Sequence, residues 1–149
     1  MKTFHLALLA CVIILGGCRE FESPISSEIA KKVSNGEGTI INIVQLTNFD
    51  WDKLYIFKPY STRDIIHKVT NNEFLKANEI PMGVPEGDSF LVFMKNNKII
   101  KYFNHPRACG DFSDFEGNYI FLTPNNANFK VIQEGYSLYG RWFKLRIIN

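Results

Sequence analysis

Residues 89–103 read SFLVFMKNNKIIKYF, and their reading decides the fold class. Two runs rich in β-branched and aromatic side chains, 89–94 and 98–103, flank Lys95-Asn96-Asn97. Asparagine tolerates positive φ better than most residues, so this short polar break predicts an antiparallel β-hairpin. Moving outward, 119–123 (YIFLT) and 129–133 (FKVIQ) read as a second strand pair around Pro124-Asn125-Asn126, and 141–148 (RWFKLRII) as a last strand.

Upstream, 39–46 (TIINIVQL) reads as a buried strand and 51–57 (WDKLYIF) as another. In the latter, Trp51, Lys53, Tyr55 and Phe57 should face one way, with Asp52, Leu54 and Ile56 facing the other. Pro59-Tyr60 breaks that strand. Ser61-Thr62-Arg63-Asp64 has the form of a capping box, and Ile65, Ile66 and Val69 share a face, which predicts a short helix over 62–69. Segment 71–88 reads as loop with one helical turn near Phe74, and 105–117 as irregular. Gly135 and Gly140, with Tyr136 and Tyr139, read as a mobile loop. No repeat or linker divides the chain. The expectation is a single α+β domain, mostly antiparallel sheet with one or two short helices packed on it. Thirteen Phe and six Tyr supply enough aromatic surface to make a packed core the expectation rather than a disordered chain.

The N-terminus carries a different signal. Lys2 precedes an apolar run, 4–15, interrupted only by His5. That run is shorter than the ~20 residues that span a bilayer and fits a signal-peptide core. It ends in Leu15-Gly16-Gly17-Cys18, which resembles the lipobox of bacterial lipoproteins. The resemblance implies cleavage before Cys18 and attachment of diacylglycerol and a further acyl chain such as palmitate. The bland alternative is an uncleaved N-terminal helix that happens to contain Cys18. The expected organisation is signal peptide 1–17, lipidated N-terminus and tether 18–38, and globular domain 39–149. One short helix is expected in the tether, capped by Ser26 or Ser27, with Ile29 and Val33 on one face and an end at Asn35-Gly36. Arg19, in place of the aspartate that commonly retains lipoproteins in the inner membrane, points to the outer membrane facing the periplasm if the cell is Gram-negative.

Cleavage would leave residues 18–149 and remove one cation, Lys2, bringing the net charge from +2 to +1. No basic stripe points to nucleic acid. Of three cysteines, Cys11 would leave with the signal and Cys18 would carry lipid, so Cys109 has no internal disulfide partner. Neither CxxC nor HExxH occurs, so no zinc site or cofactor is expected.

Segment 48–60 (NFDWDKLYIFKPY), followed later by Pro106-Arg107 and Gly110-Asp111-Phe112, resembles small uncharacterised bacterial lipoproteins over about residues 46–112. That resemblance implies no activity.

Three constellations invite chemistry. Cys109, with His105 as base and Arg107 as cation, could be a reactive thiol, or simply a small buried cysteine beside a loop ion pair. Asp111, Asp114 and Glu116 could gather a hard cation, or form a solvated turn. Trp51, Tyr55, Tyr60 and Arg107, near Asp50 and Asp52, could form a recognition surface, or the aromatics could be core. His67 reads as a surface histidine. The leading expectation is a non-enzymatic, membrane-anchored interaction module with a protein partner in the envelope, inhibitor-like, immunity-like or envelope-maintaining. The alternative is a thiol-dependent envelope enzyme or redox sensor using Cys109; ligand carriage under the sheet is a third reading.

Overall fold

The computed structural model describes residues 23–71, 83–138 and 140–148. Residues 1–22, with the expected signal segment and Cys18, lie outside that range, as does the turn expected near Phe74. The predicted hairpin is present, with β3 (Asp88–Lys95) and β4 (Lys98–Pro106) antiparallel. Asn96 and Asn97 take φ of 51° and 61°, the two left-handed positions that a tight hairpin turn requires. β3 also pairs with β2 (Lys53–Phe57), and β2 with β5 (Tyr119–Leu122), giving the order β4-β3-β2-β5. A second antiparallel sheet has the order β1-β6-β7, from β1 (Ile40–Asn42), β6 (Asn128–Ser137) and β7 (Gly140–Ile147). The chain is a single α+β domain dominated by antiparallel sheet.

The two faces of the four-stranded sheet bury different partners. Leu54, Ile56, Leu91, Phe93, Phe103 and Leu122 join Ile41, Phe129, Val131 and Leu145 of the other sheet in the main core. The opposite face carries Phe57, Phe90, Val92 and Met94, packed with Ile66 of α3 (Arg63–Val69) and with Val84. β3 is therefore covered on both sides, which explains its unbroken apolar run from Phe90 to Met94.

Helix α1 (Pro24–Ser34) begins earlier than expected, with Ser23 as its cap. Its face of Ile25, Ile29 and Val33 is part of the main core, with Ile29 fully buried. The globular part thus begins no later than Ser23, rather than at Thr39, and this helix is not tether. Segment 39–46 is not one strand either. The Asn42 side chain accepts a hydrogen bond from Gln45 N at 3.2 Å and caps a helical turn, α2 (Ile43–Leu46), which ends β1 after three residues. The strands 119–123 and 129–133 do not pair. β5 joins β2 and β6 joins β1 and β7, so the turn at 124–126 crosses from one sheet to the other. At α3 the cap is Thr62, whose Oγ1 accepts from Ile65 N, while Ser61 Oγ donates to Asn118 O at 2.9 Å. The glycine-rich 134–142 stretch extends β6 and β7 into a hairpin, with an irregularity between Gln133 and Gly135.

Placing α1 in the core has a measurable consequence. Ile29→Ala should destabilise the protein by about 2–5 kcal/mol, the range for truncating a buried isoleucine. Urea denaturation would read this as a lower midpoint at constant slope. An unchanged midpoint would return α1 to the tether.

Candidate functional site

At the end of β4 the chain makes one 3-10 turn, Arg107–Cys109, and reaches Gly110 and Asp111. Asp111 then joins the edge of β7, donating its N–H to Phe143 O at 2.9 Å and accepting from Leu145 N at 2.8 Å. Its side chain is fully buried. A buried carboxylate needs charge and hydrogen bonds to remain ionised. Arg107 supplies both, with Nε to Oδ1 at 3.1 Å and Nη2 to Oδ2 at 2.9 Å. Ser113 N donates to Oδ1 at 2.9 Å. Burial alone would raise the carboxyl, but these hydrogen bonds and the guanidinium charge outweigh it and hold Asp111 below its ordinary value.

The same guanidinium donates from Nη1 to Glu86 O at 3.2 Å and lies 5.4 Å from the centre of the Trp142 ring. Arg107 N also donates to Gly87 O. The loop before β3 is thereby fixed, and with it Tyr60. Tyr60 N donates to Val84 O at 2.9 Å, and Ser61 N closes a turn to Lys58 O. This turn puts Tyr60 at φ 65°, left-handed backbone that a bulky residue adopts at a cost. Tyr60 is 69 % exposed. Its phenol is raised above its ordinary value, first by lost solvation and then by the adjoining Glu86 carboxylate, while the charge of Arg107 pulls the other way. Tyr60, Glu86, Arg107 and Trp142 thus form one surface at this end of the domain, built on buried Asp111.

Beneath it lies His105, fully buried. Its Nδ1 is 2.7 Å from Ser26 Oγ, a bond that ties α1 to β4. Nε2 is buried without a partner at bonding distance, although the Cys109 and Gly110 backbone favours a proton there. The tautomer that fits both sides carries its proton on Nε2 and accepts from Ser26. The ring also meets Phe112 edge-on, with centroids 5.4 Å apart. Gly110, at φ 131°, closes over it. A Cβ there would come within 2.9 Å of Val33 Cγ2 and 3.5 Å of His105 Nε2. Burial pushes the imidazole down to about 4.

Only two of the four residues expected on one recognition surface meet. Tyr60 and Arg107 do, through Glu86. Trp51 is 5 % exposed and packs edge-on against Phe93 in the main core, with Nε1 donating to Thr47 Oγ1. Tyr55 lies on the opposite face of the sheet, 5.4 Å from the Phe121 ring. They separate because β2 begins only at Lys53, so Trp51 precedes the strand alternation. A shallow groove of roughly 500 Å³ runs past Trp51, lined also by Val44, Phe49, Asp50 and Pro124. The three acidic residues are dispersed. Asp111 pairs with Arg107 and Asp114 with Arg146 at 2.7 Å, while Glu116 is exposed. His67 sits half-exposed on α3, and Cys109 is half-exposed and outside any disulfide among the described residues. His105 faces the core with Nδ1 committed to Ser26, so the imidazole expected as a base for Cys109 is a neutral, weakly basic group in this fold.

Glu86 and Trp142 were not legible as site residues. They approach Arg107 only through the fold, and the one local signal was the four-residue spacing of Arg107 and Asp111. No family model, curated protein or solved structure matches this chain.

The buried imidazole makes stability depend on pH. In the unfolded chain His105 titrates near 6.5, and in the folded chain near 4. Between these values the unfolded chain binds the extra proton, so this contribution is complete above 6.5 and is lost as pH falls towards 4, by up to about 3 kcal/mol. Asp111 adds an acid loss of the same sign, but only below its ordinary 3.8. Urea midpoints should therefore drop between pH about 7 and about 4.5, and His105→Asn, which keeps an acceptor for Ser26, should flatten that drop. Parallel declines in both proteins would remove His105 as the cause.

Proposed function

We propose that this chain is a lipid-anchored envelope protein whose folded domain binds a protein partner through the Tyr60, Glu86, Arg107 and Trp142 surface. One observation carries the reading: an exposed tyrosine held in strained backbone beside a half-exposed arginine, both fixed by that arginine's ion pair with buried Asp111. Tyr, Trp and Arg dominate the energetics of protein interfaces, and groups fixed before binding lose less entropy on association. The Leu15-Gly16-Gly17-Cys18 pattern behind an apolar signal core supports the anchor, on Cys18 in the cell envelope. A small domain displayed this way suits an inhibitor, an immunity protein or an envelope-maintenance factor.

The anchor has a direct test. Metabolic labelling with palmitate should mark the wild-type chain and leave Cys18→Ser unlabelled. Label retained by the variant would refute lipidation at that cysteine.

The surface has a second. Detergent-solubilised full-length protein should retain one dominant, saturable partner from envelope extract or culture supernatant. Tyr60→Gly relieves the left-handed strain, so its stability should hold or rise by up to about 1 kcal/mol. Its affinity for the partner should fall about 30-fold, the loss of an interface anchor worth about 2 kcal/mol. Undiminished capture would remove this surface from the interface.

A further inference from the structure

The opposite end of β4 carries a second feature. Four lysines gather around the β3–β4 turn: Lys53, Lys95, Lys98 and Lys101. Lys53 Nζ donates to Asn97 Oδ1 at 2.6 Å, which holds it against the turn. None of the four is ion-paired among the described residues. The nearby carboxylate of Asp52 accepts the Asn96 N–H at 2.8 Å. Two apolar side chains stand among the lysines, Ile100 at 42 % and Tyr102 at 38 % exposure. The register moves from Phe93↔Lys101 to Met94↔Ile99, so Ile100 is the extra residue of a bulge that turns it outward. Lys101 and Tyr102 point to opposite faces of the sheet, and the surface that sees both is the outer edge of β4.

We infer that this edge lies on an anionic lipid bilayer, with the lysines at the headgroups and Ile100 and Tyr102 in the interfacial layer. The inference rests on the lipid anchor proposed above. Lysine on an edge strand also discourages sheets from pairing, but that role requires no exposed isoleucine and tyrosine beside it. Protein interfaces are depleted in lysine, whereas clustered lysine with interfacial tyrosine suits an anionic membrane. The tether agrees. Five peptide steps separate Cys18 from Ser23, a reach of at most about 18 Å. Ser26 is bonded to His105 near the other end of β4, about 23 Å along the strand from Lys98. Lipid at one end and lysines at the other lay the strand along the membrane.

The test is lysine footprinting of the full-length lipidated protein on two kinds of vesicle, phosphatidylcholine alone and phosphatidylcholine mixed with phosphatidylglycerol. An amine-acetylating reagent is applied and each lysine is quantified by mass spectrometry, with exposed Lys130 on β6 as reference. Acetylation of Lys98 and Lys101 should be about fivefold slower on the anionic vesicles, the occupancy expected for about 1 kcal/mol per lysine. About 1 M salt should restore the rate, and Lys98→Gln with Lys101→Gln should weaken the protection of Lys95 and Lys53. Equal rates on both vesicles, or slowing that ignores lipid charge, would overturn the inference while leaving the anchor intact. A chain that floats with neither vesicle would overturn both. Slowing by soluble polyglutamate but not by vesicles would assign the edge to an acidic protein instead.

Discussion

Asp111 is an ionised group placed where water does not reach, and much of the domain is organised by that condition. The chain leaves the four-stranded sheet at Pro106 and is stitched into the edge of the other sheet at Asp111 within five residues. A carboxylate at such a seam is tolerable only if its charge is balanced locally. Arg107 is four residues away across the 3-10 turn and reaches back with two parallel N–H donors. Once committed, the guanidinium has donors left, and one fixes the loop at Glu86. That loop positions Val84, whose carbonyl holds Tyr60 in its left-handed turn. A requirement that begins with one buried charge thus ends at an exposed aromatic ring.

The neighbouring position is just as constrained. Gly110 needs a backbone conformation that other residues avoid, and it has no room for a side chain against Val33, Leu145 and His105. The helix that contributes Val33 is held a second time by Ser26 on His105. Helix α1, the end of β4 and the start of the β7 pairing therefore share one packed and hydrogen-bonded junction. A buried histidine with one unpartnered nitrogen is an expensive component of such a junction. Burial favours its neutral form, so a proton on this ring would strain the junction.

The parts of this fold that could be read in advance are those whose cause is local. The Asn96-Asn97 turn, the apolar runs beside it and the Thr62 cap with Ile65, Ile66 and Val69 carry their reasons within a dozen residues. Misread elements have causes that are distant or, as at Asn42, local but masked by an apolar run. The 39–46 segment looks like a strand until the Asn42 side chain is allowed to compete for Gln45 N–H. The polar break at 124–126 looks like a hairpin turn, and nothing within it reveals that the chain is changing sheets. In sequence, α1 reads as helix but not as core, because two apolar positions one turn apart suit a surface helix equally well. The site divides in the same way: Arg107 and Tyr60 stood out by residue type, while Glu86 and Trp142 join them from β-turn and strand positions 21 and 35 residues from Arg107 in sequence.

The two ends of β4 pose opposite electrostatic problems. At the Pro106 end a cation is engaged, with its charge matched by a buried carboxylate and its Cζ 5.4 Å from the centre of an indole ring. At the Lys98 end the cations stand near a turn without an ion pair among the described residues, and the nearby Asp52 carboxylate is bonded to the Asn96 N–H instead. Rigid, neutralised charge favours a partner of defined shape, because little freedom remains to be lost when it binds. Flexible, unneutralised charge favours a diffuse anionic surface, where attraction needs no fixed geometry. If the edge of β4 rests on lipid, the Tyr60 and Trp142 surface sits at the end of the strand rather than beneath it. The proposed membrane contact and the proposed protein contact then occupy different surfaces of the same small domain.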